Sequence, residues 1–276
     1  MKRILFISIA AFTLNTAFAQ GEKKDDGDTI RIGGMIIIRK AGSNEREIIS
    51  HDREIKIPGR YKNKNENVAT NWWIVDLGFS NFTDNTNYAS AGTQAFAPGS
   101  NKDWFDLRAG KSKNVNFWFF MQRLNMIKHV VNLKYGLGLD LNNYSFEDER
   151  VKFQKNPTLI SIDNSLKGAK KNKLAADYLT VPMMLNFNFT PDRKNGFGFS
   201  GGLSAGYLYS ARQKTKTGDD KDKIRSDFDL KRWKLSYVGE LLLGPVKLYG
   251  SYALNNMWDK GLDQIPYTVG FRLSNW

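Results

Sequence analysis

The chain has 276 residues, 41 Lys+Arg against 28 Asp+Glu, no Cys, and a mean hydropathy of −0.48. The absence of Cys excludes disulfides and a lipid-modified cysteine anchor. Beyond the first twenty residues the apolar runs are only a few residues long, which excludes a later transmembrane helix and leaves a closed barrel as the one way to cross a bilayer.

The N-terminus, MKRILFISIAAFTLNTAFAQ, carries Lys2 and Arg3, an apolar run from Ile4 to Leu14 and an Ala17-Phe18-Ala19 cleavage signal. It reads as a signal peptide over residues 1–19. Without the two leader cations the charge excess falls from +13 to about +11. For an exported chain such an excess points to lipid and lipopolysaccharide phosphates rather than to nucleic acid. The cations gather in predicted loops, as in KGAKKNK, Lys167 to Lys173, for which solvated loop charge is the plainer explanation. Residues 20–70 are polar and charged and read as a flexible periplasmic arm, with one short strand in IRIGGMIIIRK.

From about residue 71 the period becomes two, the signature of strands. The expected strands are WWIVDLGFSN, SKNVNFWFFMQ, HVVNLKYGLGLDLN, ADYLTVPMMLNFNF, FGFSGGLSAGYLYS, RWKLSYVGELLL, VKLYGSYAL and IPYTVGFRLS. Each has one apolar and one polar or glycine-bearing register. In SKNVNFWFFMQ the apolar register is Val115, Phe117, Phe119 and Met121, and Trp118 and Phe120 blur the other face. Pro182 implies a bulge or a missing ladder bond. Long and short connections alternate, as expected of an outer-membrane barrel, and RQKTKTGDDKDKIR reads as one of the loops.

Alternation alone is compatible with a soluble, lipocalin-like ligand carrier as well as with a lipid-facing barrel. Three features favour the membrane. The apolar registers hold no Asp, Glu, Lys or Arg, whereas the opposite faces carry Asp76, Lys134, Asp140, Lys234, Glu240, Lys247 and Arg272. Those charges are expected to pair inside the lumen, with Lys134, Glu240, Lys247 and Arg272 toward the periplasm and Asp76 and Asp140 higher. The polar registers are rich in Gly and Ser, which suits the narrow interior of an eight-stranded barrel. Aromatics gather near strand ends and suggest two interfacial girdles: Trp73, Phe187, Phe197 and Phe271 near the short turns, Phe79, Tyr209, Trp233 and Tyr267 near the long loops.

Chemistry-bearing motifs are sparse. His51 lies in the arm and His129 at a strand end, neither placed as a general base at the outer rim. GFGFSG, Gly196 to Gly201, has the letters of a dinucleotide fingerprint but leads into a strand rather than a helix. GDDKDK lacks the ligand spacing of a calcium loop. No catalytic residue, cofactor or metal is expected.

The order of leader, charged arm, WWIVDLGF, LRAGKSKNVNF leading into KYGLGLDLNNYSF, DYLTVPMMLNF and YTVGFRL resembles the PorT-like outer-membrane β-barrel family over about residues 70–276. The resemblance implies an outer-membrane location and an eight-stranded barrel; most members have no assigned activity and a few are linked to protein secretion. Trp276 departs from the usual terminal pattern, being out of phase with Phe271 and Leu273. The expectation is therefore an all-β, eight-stranded antiparallel transmembrane barrel over residues 71–276. It would be a non-enzymatic monomer serving as anchor or protein-interaction scaffold through loops or arm, with a narrow solute channel as the alternative.

Overall fold

In a computed structural model, the described residues are 66–273 except 192, 194 and 195, together with short strands nearer the N-terminus. Residues 1–19, expected to be a signal peptide, and His51 lie outside them. The short strands are β1 (Thr29–Ile32), β2 (Met35–Ile38) and β3 (Glu47–Ile48), an antiparallel sheet in the order β1-β2-β3. The single strand expected in IRIGGMIIIRK is thus two paired strands. Ile32 pairs with Met35, so only the Gly33-Gly34 dipeptide separates them, a sequence suited to two-residue hairpin connections.

The remaining elements are β4 (Val68–Asp84), α1 (Ala91–Phe96), β5 (Lys113–Ile127), β6 (Val131–Ser145), β7 (Val151–Phe153), β8 (Ile160–Ile162), β9 (Lys171–Asn188), β10 (Phe197–Thr217), β11 (Asp220–Arg225), β12 (Trp233–Leu243), β13 (Val246–Ala253) and β14 (Gln264–Leu273). β4, β5, β6, β9, β10, β12, β13 and β14 pair antiparallel in sequence, and β14 closes on β4 from Gln264↔Asp84 to Leu273↔Val75. The predicted eight-stranded barrel is therefore what the structure shows. Closure matters because it pairs every backbone group between strands and leaves no edge to face hydrocarbon.

The alternating registers sort by side of the wall. On β6, Val131, Leu133, Tyr135, Leu137, Leu139 and Leu141 face outward, while Asn132, Lys134, Gly136, Gly138, Asp140 and Asn142 are buried inside. The inward glycines make room for rings. Tyr249 lies across the paired Gly78 and Gly270, where an added Cβ would stand 2.5 and 2.7 Å from its atoms, and Trp118 lies over Gly138.

The second expected strand needs correction. Trp118 pairs with Gly138, but the next bridge is Phe120 to Leu137, so β5 bulges at Phe119 and the alternation slips by one. Met121, expected outward, is therefore fully buried inside, and so is Trp118. β4 changes phase at the same level, where Trp73 takes a left-handed φ of 57°. Trp72 and Trp73 are both exposed, and Ile74 turns inward. Pro182 opens the β6–β9 ladder: the bridges stop at Tyr135↔Met183 and resume at Gly138↔Thr180 in unchanged register.

The long connections are folded rather than simply displayed. The first holds α1, capped by Ser90, whose side chain accepts from the Thr93 backbone N–H. The second holds the β7–β8 hairpin. The segment expected as the loop RQKTKTGDDKDKIR extends β10 and pairs it with β11 around Gly218, which has φ +59°. Its polarity masked the strand: with few apolar residues on either face, the period of two leaves no hydropathy trace.

Candidate functional site

Two interior layers are stacked along the barrel axis. The lower is polar. Arg272 stands directly across from Asp76 in the β14–β4 register, so the pair shares one level, against the expectation that Asp76 sits higher. Its Nε and Nη2 donate to the two Asp76 oxygens at 2.7 Å each, a bidentate fork. Asp76 is fully buried and also accepts from Trp118 Nε1 at 2.7 Å and Asn116 Nδ2 at 3.2 Å. Arg272 reaches on to Glu240, which also takes Lys134 and, at 3.3 Å, the Ser200 hydroxyl. The Arg272 guanidinium sits 5.7 Å from the Trp118 ring.

Beside this cluster, in the same row of cross-strand pairs, Asp140 binds Lys234 and accepts from Asn114 Nδ2 at 2.8 Å and Asn142 Nδ2 at 2.9 Å. The Tyr249 hydroxyl donates to Asn114, and Lys234 Nζ lies 4.6 Å from the Tyr178 ring. Lys247 faces the lumen nearer the turn at Gly244. Asp76, Asp140 and Glu240 therefore each meet at least one of Lys134, Lys234 and Arg272, so every acid of the cluster is compensated where water is scarce.

What remains of the lumen is small. A cavity of about 30 Å³ lies among these groups. Its lining includes Asn116, Thr180 and Ser236, which carry buried oxygens without a protein hydrogen-bond partner. That volume suits a water or two and no solute.

The upper layer is apolar. All four long connections send side chains inward: Phe96 and Phe105 from the first, Phe153 and Ile160 from the second, Phe228 and Leu230 from the third, Met257 and Trp258 from the fourth. They pack on Tyr144, Leu174, Tyr178 and Leu208 at the upper ends of the barrel strands. Phe153 stacks on Trp258 at 6.0 Å, and Trp258 Nε1 donates to Gln264 at 2.9 Å. Gln213, buried beneath, donates to the Val151 carbonyl and accepts from the Phe153 N–H. The outer surface of the cap is polar. A hydrogen bond from Lys152, then those from Ser165, hold Asp163 down at about pKa 2, and Arg150 depresses Asp148 in the same way. Burial, then the neighbouring Asp84 carboxylate, push the Tyr88 hydroxyl well above its ordinary range.

Trp73, Phe79, Phe197, Tyr209, Trp233 and Phe271 are exposed on the outer wall, and Phe187 and Tyr267 lie partly covered there, Phe187 stacked on Phe199 at 4.7 Å. His129 lies in the short turn before β6 with φ 59°, its N–H donating to Asn125. GFGFSG opens β10 as strand, and GDDKDK forms the tip and return of the β10–β11 hairpin.

Trp118, Tyr249 and the asparagines at 114, 116 and 142 were not singled out by sequence. Their signal was faint but present: Asn114 and Asn116 keep the polar register of β5, and glycines stand opposite both rings. The cap core carried no such signal.

No helix among the described residues is long and apolar enough to cross a membrane; the outward rows of the barrel strands form the apolar surface. No curated protein matches the chain. Residues 71–259 match the outer membrane protein beta-barrel domain. The match spans most of the closed ring just described, and the chain belongs to that family of barrels of the bacterial outer membrane.

Proposed function

We propose that the protein is a non-enzymatic, monomeric anchor that holds a folded protein-interaction head at the cell surface. The observation that carries this is the double closure of the barrel. Paired charges fill the lumen, and an apolar core built from all four long connections roofs it. A conduit needs a continuous wet path, and the cavity of about 30 Å³ is too small to serve as one. A merely structural plug would not need four interlocked loops, whereas a rigid binding surface does, because preordering the loops removes the entropy cost of ordering them on contact. The resemblance to PorT-like barrels favours a partner engaged in protein secretion.

Two measurements test it. In planar bilayers the purified protein should give no steady conductance; regular single-channel steps would establish a channel instead. On intact cells, a photocrosslinker at the exposed Lys155 or Lys167 of the cap should yield a discrete protein adduct. Recovery of the un-crosslinked monomer alone from both positions would remove the interaction role.

A further inference from the structure

Above the apolar outer rows, the sheet formed by β9, β10 and β11 places like charges side by side. Lys214 pairs with Lys223 on one flank and Lys173 on the other; one step further, Lys216 pairs with Lys221 and Lys171. Arg212 faces Arg225 one step below. All of these occupy alternate positions and so share one face. The other face turns inward, where Gln213 is buried under the cap, and the acids of β11, Asp220 and Asp222, lie on that side opposite Thr217 and Thr215.

Arg212 engages Asp177, Lys216 lies 4.0 Å from the exposed Asp219, and Lys173 donates to Asn143. For Lys171, Lys214, Lys221, Lys223 and Arg225, no carboxylate among the described residues is within ion-pair distance. Like charges directly opposite on a sheet destabilise it. Asp177 and Asp219 offset only Arg212 and Lys216, and Asp220 and Asp222 of β11 lie on the reverse face, so the ladder keeps a cationic excess complementary to a polyanion. At the free edge of β11 the ladder meets a groove of about 700 Å³ whose walls include Lys152, Lys155, Lys223 and Arg225 around Phe153.

Position selects the polyanion. The outward apolar row of β9 runs up through Met183 and Val181 to Leu179, and that of β10 through Leu203 and Tyr207 to Tyr209, on the face that carries the ladder. Lys173 lies six residues beyond Leu179, roughly 20 Å along the strand at about 3.3 Å per residue. The lowest cation of the ladder, Arg212, stands opposite Ala175, about 13 Å along the strand beyond Leu179, so the ladder lies above the last apolar row and rises through the layer that holds headgroup phosphates and sugars. We propose that the outward face of β9, β10 and β11 binds the phosphorylated saccharide headgroup of an anionic glycolipid in the outer leaflet. This deepens the outer-membrane placement and is independent of the cap's protein-binding role, so either can fail alone.

The test uses the full chain folded in neutral detergent, titrated with a phosphorylated outer-leaflet glycolipid, the same glycolipid after dephosphorylation, and inorganic phosphate. The phosphorylated glycolipid should bind at least tenfold more tightly than its dephosphorylated form. It should bind at least tenfold more weakly to Lys173→Gln/Lys214→Gln/Lys223→Gln, while a control with the same charge loss, Lys102→Gln/Lys111→Gln/Lys128→Gln, at exposed positions outside the ladder, should match the parent. Equal affinity for the two glycolipids, or an unweakened ladder variant, overturns the proposal. So does displacement of the glycolipid by an equal concentration of inorganic phosphate, which would assign the face to soluble anions. Should the triple variant fail to reach the heat-resistant folded form, Lys223→Gln alone is read in the same way, with about threefold weakening expected.

Discussion

Within the bilayer the barrel is largely polar inside and apolar outside; in the cap the same strands are apolar inside and charged outside. β9 makes the reversal without a break. Its inward register runs from Asn186 and Thr180 to Tyr178, Ala176 and Leu174, while its outward register runs from Leu185, Met183 and Val181 to Asp177, Lys173 and Lys171. β6 turns over between Asn142 and Tyr144. A strand has no preferred inside. Each side chain is placed by the solvent at its own height, lipid below and water above, and the level of reversal marks where the bilayer stops.

The lower layer is most vulnerable at Glu240. Glu240→Gln removes the charge that Lys134 and Arg272 share, and stranding buried cations costs about 3–5 kcal/mol. The folded, heat-resistant gel band should convert at a clearly lower temperature; an unchanged midpoint would show that the lower layer is not held by its charges. Next is Leu203→Arg, at an exposed position on the lower outer wall of β10, where a cation costs about 2–4 kcal/mol in a bilayer. Folding into vesicles should fail or weaken sharply, although Lys214 sits on the same strand in the outward register of the cap. If Leu203→Arg inserts as well as the parent, the outer wall does not meet lipid there. The smallest effect is expected from Leu174→Ala in the cap core, about 2–3 kcal/mol. Hydrogen exchange should rise in the connections around Phe153 and Trp258 while the lower barrel amides keep their protection. Uniform loss across both layers would mean that cap and barrel unfold as one unit.

The lower layer was largely legible because its pattern is local. Lys134, Asp140 and Arg272 could be assigned to one register by counting in twos, and the absence of charge from the facing register distinguished lipid from a soluble exterior. Reading stopped where the count slipped. The bulge at Phe119 moved Met121 inside, and a count along one strand does not reveal a slip that is matched in the neighbouring strand, where Trp73 turns at the same level. The cap was illegible for a different reason. Phe105, Phe153, Phe228 and Trp258 come from four connections with no common period, and they form a core only because barrel closure brings those connections together.

The sequence by itself determined that this chain crosses a membrane as strands and which register of most strands meets the lipid. Both follow from alternation at one-residue resolution and from the cost of placing charge in hydrocarbon. Tertiary structure decided which charges pair, where the alternation slips, and that the long connections fold into a core. Each of these depends on the register between strands and on the meeting of segments far apart in the chain, which become neighbours only when β14 closes on β4.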